Sequence, residues 1–403
     1  MGFTNMFAIG LSGVNAYASS LEAVSNNIAN TDTTGYKRLR TDFSTLVTME
    51  APNNGVAGGG VGATTRQLIS EQGGVARTSS PTDLAVSGNG FFVVSENASD
   101  TDTSAFLFTR SGGFSIQEDG TLMNEAGYFL RAAAVGEDGT AAANGLSGLE
   151  TVNVQRISSL AAATSAITLA GNLDANAPLG ETVTQNVQVF DDTGAARTLA
   201  LTFTRIGLNE WAANAAFVDG GQESIAAGDI VFAADGRIDE ALSSFPQSLT
   251  ISANAGQAVD LNLRSLIQTA RATSFSTAQA DGAAEGALTG VEISRDGRIT
   301  ALFSNGLARD IYQVVLANFI NPDGLKDGPA STFLTSSDAG EIALDIPQTG
   351  RAGAIESGAL EMSTVDIGQE FSMLIETQRA YAANTRVISV ADELWRTLTQ
   401  TAA

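Results

Sequence analysis

Aspartate-rich turns and one glycine run are the places in this 403-residue chain where ligand chemistry could begin. Asp191-Asp192-Thr193-Gly194 and Asp235-Gly236 set carboxylates beside a flexible glycine, as an oxygen-ligated calcium loop does. Such a loop needs D-x-[DN]-x-[DN]-G and a later bidentate glutamate. That spacing is absent, so both stretches read as solvated hairpin turns. Gly58-Gly59-Gly60-Val61-Gly62 could cradle a phosphate only with a following Lys-Ser/Thr and a strand-to-helix setting. Lacking these, Met49 to Gly62 reads as loop or extended connector. Two carboxylates could hydrolyse a glycosidic bond, as in a secreted acidic enzyme, but nothing singles out a pair among 44 acids. The chain holds no histidine and no cysteine, which removes Ser-His and Cys-His catalysis, Cys/His zinc sites and disulfides. The expectation is a protein that is no enzyme and carries no metal or cofactor.

Association is the chemistry that remains, and two amphipathic stretches at the chain ends are built for it. Phe7, Leu11, Val14, Ala18, Leu21 and Ile28 recur at four- and three-residue steps, broken only at Ser25, and line one side of a helix like a coiled-coil seam. The helix is expected to stop at Asn26-Asn27-Ile28-Ala29-Asn30. There Thr31 to Thr34 offer side-chain oxygens to the backbone and Gly35 is free to take positive φ. Near the other end Leu374, Tyr381, Ile388 and Trp395 recur every seventh residue, flanked by Val387, Ala391, Leu394 and Leu398. Asp366 is the expected N-cap of this second helix, with Gln369 as its reciprocal partner.

Between the ends the period is that of strands. Leu84–Val86, Phe91–Val94, Phe106–Thr109 and Gly127–Leu130 are expected strands, with hairpin signals at Gly88-Asn89-Gly90 and Glu118-Asp119-Gly120. A second run includes Ala166–Leu169, Val187–Phe190 and Leu199–Phe203, and a third Val291–Ile293, Ile299–Phe303 and Tyr312–Ala317. With an all-β middle, neither helix has a sequence neighbour to cover its stripe. Each large apolar side chain left in water forfeits roughly 1.5–3 kcal/mol. The stripes are expected to pack on each other and on other copies, although periodicity alone fits an ordinary core-facing helix equally well.

The net charge of −23 argues against a nucleic-acid partner. No apolar run approaches the roughly 20 residues that span a membrane, so no membrane insertion is expected. No Lys or Arg precedes Lys37, so the basic region of a secretory signal is missing; the chain is expected to stay in the cytosol or to be exported by a route that reads something else.

The stretch LSGVNAYASSLEAVSNNIANTDTTGYKRLRTDF resembles the opening signature of the bacterial flagellar rod and hook proteins, on Asn26, Asn27, Asn30, Thr34, Gly35, Tyr36 and Lys37. Residues 82–94 (TDLAVSGNGFFVV), FTRSGGF and EDGTLMNEAGYFL are similar to that family's shared β domain, and residues 353–388 to its C-terminal signature. Thr364 stands where the family usually has Asn. VQVFDDTGAARTLALTFTR, ISRDGRITALFSNG and VVLANFINPDGLKD are similar to the branch that carries an extra β domain. A smaller distal rod subunit is the nearest alternative.

The resemblance implies a mainly β fold with paired terminal helices as a coiled-coil domain (1–35 with 363–403). It further implies a connector (36–71 and 354–362), a discontinuous β domain (72–146 with 287–353) and an inserted, outer, β-barrel-like domain (147–286). It implies an extracellular helical homopolymer, a curved tube acting as a universal joint, with the helical seams as its assembly contacts. Export would run without a cleaved signal peptide. The implied partners are further copies, the distal rod subunit, the hook–filament junction protein, the hook cap and the type III export apparatus.

Overall fold

The computed structural model describes residues 3–47, 58–136, 138–141, 145–218, 224–246, 248–251 and 257–401. It is mainly β with one long helix toward each end, α1 (Phe3–Ala29) and α2 (Ile367–Thr401). Residues 1–156, 291–301 and 310–403 form one compact unit; residues 157–290 and 302–309 form a second.

In the first unit α1 is followed by an antiparallel hairpin, β1 (Leu39–Val47) and β2 (Gly58–Gln67), in register from Leu39 opposite Gln67 to Val47 opposite Gly58. The expected connector is therefore a β-ribbon over its described residues. Gly58–Gly62 lies in a strand facing Ser44 to Val47 rather than at a helix N-terminus, so the geometry of a phosphate loop is missing. Residues 49–57 of the expected loop lie outside the described residues. The ribbon packs on α1 through Tyr17 and Phe43, whose ring centroids are 5.2 Å apart, and Ser12 Oγ accepts a hydrogen bond from Val61 N at 3.1 Å.

Returning chain completes the base of this unit. Residues 354–357 pair with β4 (Leu84–Ser87), and residues 359–361 pair with β3 (Val75–Arg77). Beyond them the strand at 91–95 pairs with those at 106–109, 129–134 and 316–319. Side chains alternate across this sheet. Phe91 joins Phe319 and Phe333 edge-on at 5.9 and 5.7 Å on one face, and Phe92 meets Phe114 at 5.8 Å. The Glu118-Asp119-Gly120 signal makes its hairpin, with Phe114 opposite Asn124. Gly88-Asn89-Gly90 makes a turn but no hairpin, because the strand before it pairs with 354–357 and the strand after it with 106–109. The expected strand Tyr312–Ala317 is interrupted. Strands end at Gln313 and restart at Leu316, while Val314 N turns away to donate to Gly297 O at 2.8 Å.

The second unit packs two four-stranded sheets around one core. One is the meander 182–190, 196–207, 210–217 and 224–231; the other has the order 248–251, 257–269, 166–174 and 274–280. Trp211, Phe203, Leu169, Leu261 and Leu266 lie fully buried between them. The barrel-like expectation for this region is not met among the described residues, because 182–190 and 224–231 end their sheet without pairing to a strand of the other. Each sheet presents one alternating apolar face, and two such faces bury each other without closure. In the turn at 191–194, Asp191 Oδ1 accepts from Thr193 N (2.9 Å), Thr193 Oγ1 (2.6 Å) and Ala195 N (2.9 Å). That is hairpin chemistry: the carboxylate serves its own loop.

Candidate functional site

The candidate site is the helix pair and the turn at its base. The two helices run antiparallel and close. A Cβ built on Gly10 would fall 3.0 Å from Ile388 Cγ1, and one on Gly13 2.5 Å from Asn384 Oδ1. Small side chains let the backbones approach. The buried residues of α1 are Gly10, Gly13, Ala16, Ser20, Ala23, Val24 and Asn27, and those of α2 are Glu370, Thr377 and Ala391, with half-buried Asn384 between, among the described residues. Asp366 caps α2, accepting from Gln369 N at 3.0 Å through Oδ1 and from Glu370 N at 3.0 Å through its carbonyl. Gln369 contributes its backbone N–H; no returning side-chain bond is formed among the described residues.

The expected seams lie mostly on the other sides of these helices. Phe7 and Leu11 are each 45% exposed, Ala18 is exposed, and Val14, Leu21 and Ile28 are half-buried. On α2, Leu374 and Ile388 are half-buried, Ile388 against Gly10 of α1, whereas Tyr381, Leu394 and Trp395 are exposed. The Leu398 side chain lies outside the described residues. Ile367, Phe371, Ile375 and Val390 add to the exposed apolar surface of α2. Small and polar side chains, with Val24 and Ile388, therefore make up most of the buried helix surface, while Phe7, Leu11, Tyr381, Leu394 and Trp395 stay open.

At the base, the signature turn becomes a buried polar junction. Asn27 Nδ2 donates to Leu39 O (2.8 Å) and Glu370 Oε2 (3.1 Å), while Asn27 Oδ1 accepts from Leu39 N (2.8 Å) and the Tyr36 hydroxyl (3.3 Å). Arg38 Nε reaches Glu370 Oε1 at 2.5 Å. Asn26 is exposed and its carbonyl accepts from Asn30 N and Asn30 Nδ2, which closes the end of α1; Thr34 is half-buried in the turn. Gly35 has φ +70° and donates to Glu361 O at 2.8 Å; a Cβ there would lie 2.6 Å from Ser111 N. Lys37 is fully buried, pairs with Glu361 Oε1 at 2.6 Å and donates to Glu71 O. Glu361 Oε2 takes Arg110 Nη1 at 2.9 Å. Two cations therefore share one carboxylate away from water.

Burial holds the Lys37 ammonium below its ordinary value, against the pull of Glu361. Burial, then the charges of Asp327 and Glu370, push the Tyr36 phenol up to about 12. Thr364 takes a definite part, its Oγ1 accepting from Arg38 N at 2.8 Å. Glu361, Glu370, Arg38 and Arg110 escaped sequence reasoning. Their partners lie far off in the chain, and a lone acid or base carries no local pattern.

Profiles of known families match in four places. One described as flagella basal body rod protein covers residues 7–37, and one described as flagellar basal body rod FlgEFG protein C-terminal covers 356–401. A flagellar hook protein FlgE/F/G D1 domain covers 85–175, and a flagellar basal body protein FlaE D2 domain covers 157–283. The flagellar hook protein FlgE of Brucella abortus is 36% identical over 98% of this chain and 98% of its own. The chain belongs to the flagellar hook protein family. The FlgE proteins of Rhizobium meliloti (32% identical, 96% of this chain and 97% of the relative) and Escherichia coli (29%, 97% and 98%) span it equally fully. In this hook-family chain Asn27 to Lys37 of the buried junction fall inside the first matched segment and Glu361 to Glu370 inside the last.

Proposed function

We propose that this hook subunit works by polymerising into a curved, flexible tube, a universal joint that passes torque from rod to filament. The observation that carries this is the apolar surface left on α1 and α2, with Phe7, Leu11, Tyr381, Leu394 and Trp395 exposed where a monomer's helices would hide them. Apolar surface of this kind is covered by other copies through a heterologous contact that repeats without closing. The terminal helices (1–35 with 363–403) act as a coiled-coil layer, with Leu374, Ile388 and Leu398 completing its seams. The connector (36–71 and 354–362) and the discontinuous β domain (72–146 with 287–353) carry the load outward, and the inserted domain (147–286) makes the polar, sliding outer contacts.

In this reading the subunit is extracellular, exported by the type III apparatus without a cleaved signal peptide. It meets the distal rod subunit at one end of the tube and the junction protein or cap at the other. It is not an enzyme and uses no cofactor, nucleic acid or membrane insertion. Negative-stain microscopy of the full chain after salting out should show tubes, and deletion of residues 1–30 should abolish them while the second unit melts as before. A wild-type chain that never forms tubes, or tubes from the deletion variant, would overturn this function.

A further inference from the structure

We infer that the outer face of α1 docks on the outer face of α2 of a second copy, displaced along the helix axis by one turn, with Glu22 of one copy paired to Arg379 of the next. This rests on the polymer reading above and adds the partner surface and its register. Glu22 is the sole charged residue of α1, and it is exposed on the side away from α2. Between the exposed acids Glu376 and Asp392, α2 carries two charges, Arg379 and Arg386, both exposed. Neither Glu22 nor Arg379 makes an ion pair within the chain among the described residues. In a strongly acidic protein, this arginine pair is a local reversal of sign that a carboxylate would seek.

The register follows from the helix pair itself. Gly10 stands beside Ile388 and Val387, Gly13 beside Asn384 and Asn27 beside Glu370, so Glu22 is level with Ile375. Two copies side by side at one height would set Glu22 against Ile375, Ala18 against Arg379 and Leu11 against Arg386. That register buries charge on apolar side chains. Sliding the second copy by four residues, about 6 Å at ~1.5 Å per residue, changes every pair at once. Glu22 then meets Arg379, Ala18 meets Ala383, Asn15 meets Arg386, Leu11 meets Val390 and Phe7 meets Leu394. These residues are exposed in the isolated chain. A slide that matched Glu22 to Arg386 instead, about 16 Å, would carry Phe7 to the end of α2 and lose both apolar pairs. An axial step between neighbours also prevents ring closure, which is what a tube that grows by addition requires.

Charge swaps in the full-length chain test this. Glu22→Arg and Arg379→Glu should each slow assembly about tenfold or stop it, as like charges meet at the contact, and the double variant should recover. Glu22→Arg with Arg379 intact and Arg386→Glu should not recover. Should Glu22→Arg alter the melting of the free chain, Glu22→Gln, which adds no repulsion, should still slow assembly and reduce its salt dependence. As the chain lacks cysteine, Leu11→Cys with Val390→Cys should give disulfide ladders between copies in the tube, and Leu11→Cys with Arg386→Cys should not. Full-rate assembly of Glu22→Gln, no recovery in the double variant, recovery through Arg386→Glu, or ladders only with Arg386→Cys would overturn the pairing. In each of those cases wild-type tubes would leave the hook-subunit reading intact, whereas absent wild-type tubes would overturn that reading instead.

Discussion

Asn27 and Glu370, from opposite ends of the chain, meet 3.1 Å apart where neither reaches water. The amide has little freedom there. Its oxygen is engaged by Leu39 N and the Tyr36 hydroxyl, and its nitrogen by Leu39 O and Glu370. Asn27→Ala would leave the Leu39 amide and half of the Glu370 carboxylate without partners, at a cost of about 1–3 kcal/mol. Equilibrium denaturation followed in the first unit should show this loss, and the transition of the second unit should not move.

Glu361 is a sharper case, because it stands between two buried cations. Glu361→Gln keeps the shape but leaves Lys37 and Arg110 without a countercharge, and breaking a buried pair in this way costs about 3–5 kcal/mol. The expected readout is a first unit that unfolds early in urea, with partial recovery when Lys37→Met accompanies it. No recovery would mean that Glu361 acts mainly through its bond from Gly73 N.

Much of this framework is visible in the residue pattern, and the exceptions have physical causes. Phe106–Thr109 and the Asp366 cap announce themselves because strand alternation and capping are local. The face that α1 turns to α2 does not. Gly10, Gly13, Ala16 and Ser20 are small, and hydrophobic periodicity picks out the stripe with the largest side chains instead. β1 reads LRTDFSTLV with polar residues on both faces, since it is a ribbon strand lying on a helix rather than in a core. The Lys37–Glu361 pair joins residues 324 apart, and no window along the chain contains both.

Gly35 predicts a backbone effect separate from any side-chain contact. At φ +70° with a Cβ position 2.6 Å from the Ser111 amide, alanine meets both left-handed strain and a backbone clash. Gly35→Ala should destabilise the first unit by more than the roughly 1–2 kcal/mol of left-handed strain alone. Thermal melts would test this against Gly74→Ala, where a Cβ meets nothing within 4 Å.

Tyr36 gives an alkaline signature. Its phenol titrates near 10.0 in the unfolded chain and about 12 in the fold, so between those values the unfolded chain has released a proton that the folded one retains. The first unit should therefore lose stability as pH rises from about 10 to 12, with the full contribution present below 10. Tyr36→Phe should flatten that part of the profile. Lys37, lowered by burial, acts with opposite sign below its ordinary 10.5, and the difference between Tyr36→Phe and wild type isolates the phenol.

Two tryptophans divide the molecule between them as reporters. Trp211 is fully buried in the core of the second unit, and Trp395 is 51% exposed on α2. If neighbouring copies cover α2, the Trp395 indole passes from water into an apolar contact, and its emission should move to the blue as tubes grow. Trp211 is already dry and should not change. Trp395→Phe should therefore abolish the assembly-linked shift while light scattering still reports polymer, and Trp211→Phe should keep it. A shift that survives in Trp395→Phe would place the change in the second unit and remove the support that the exposed helix faces give to the assembly contact.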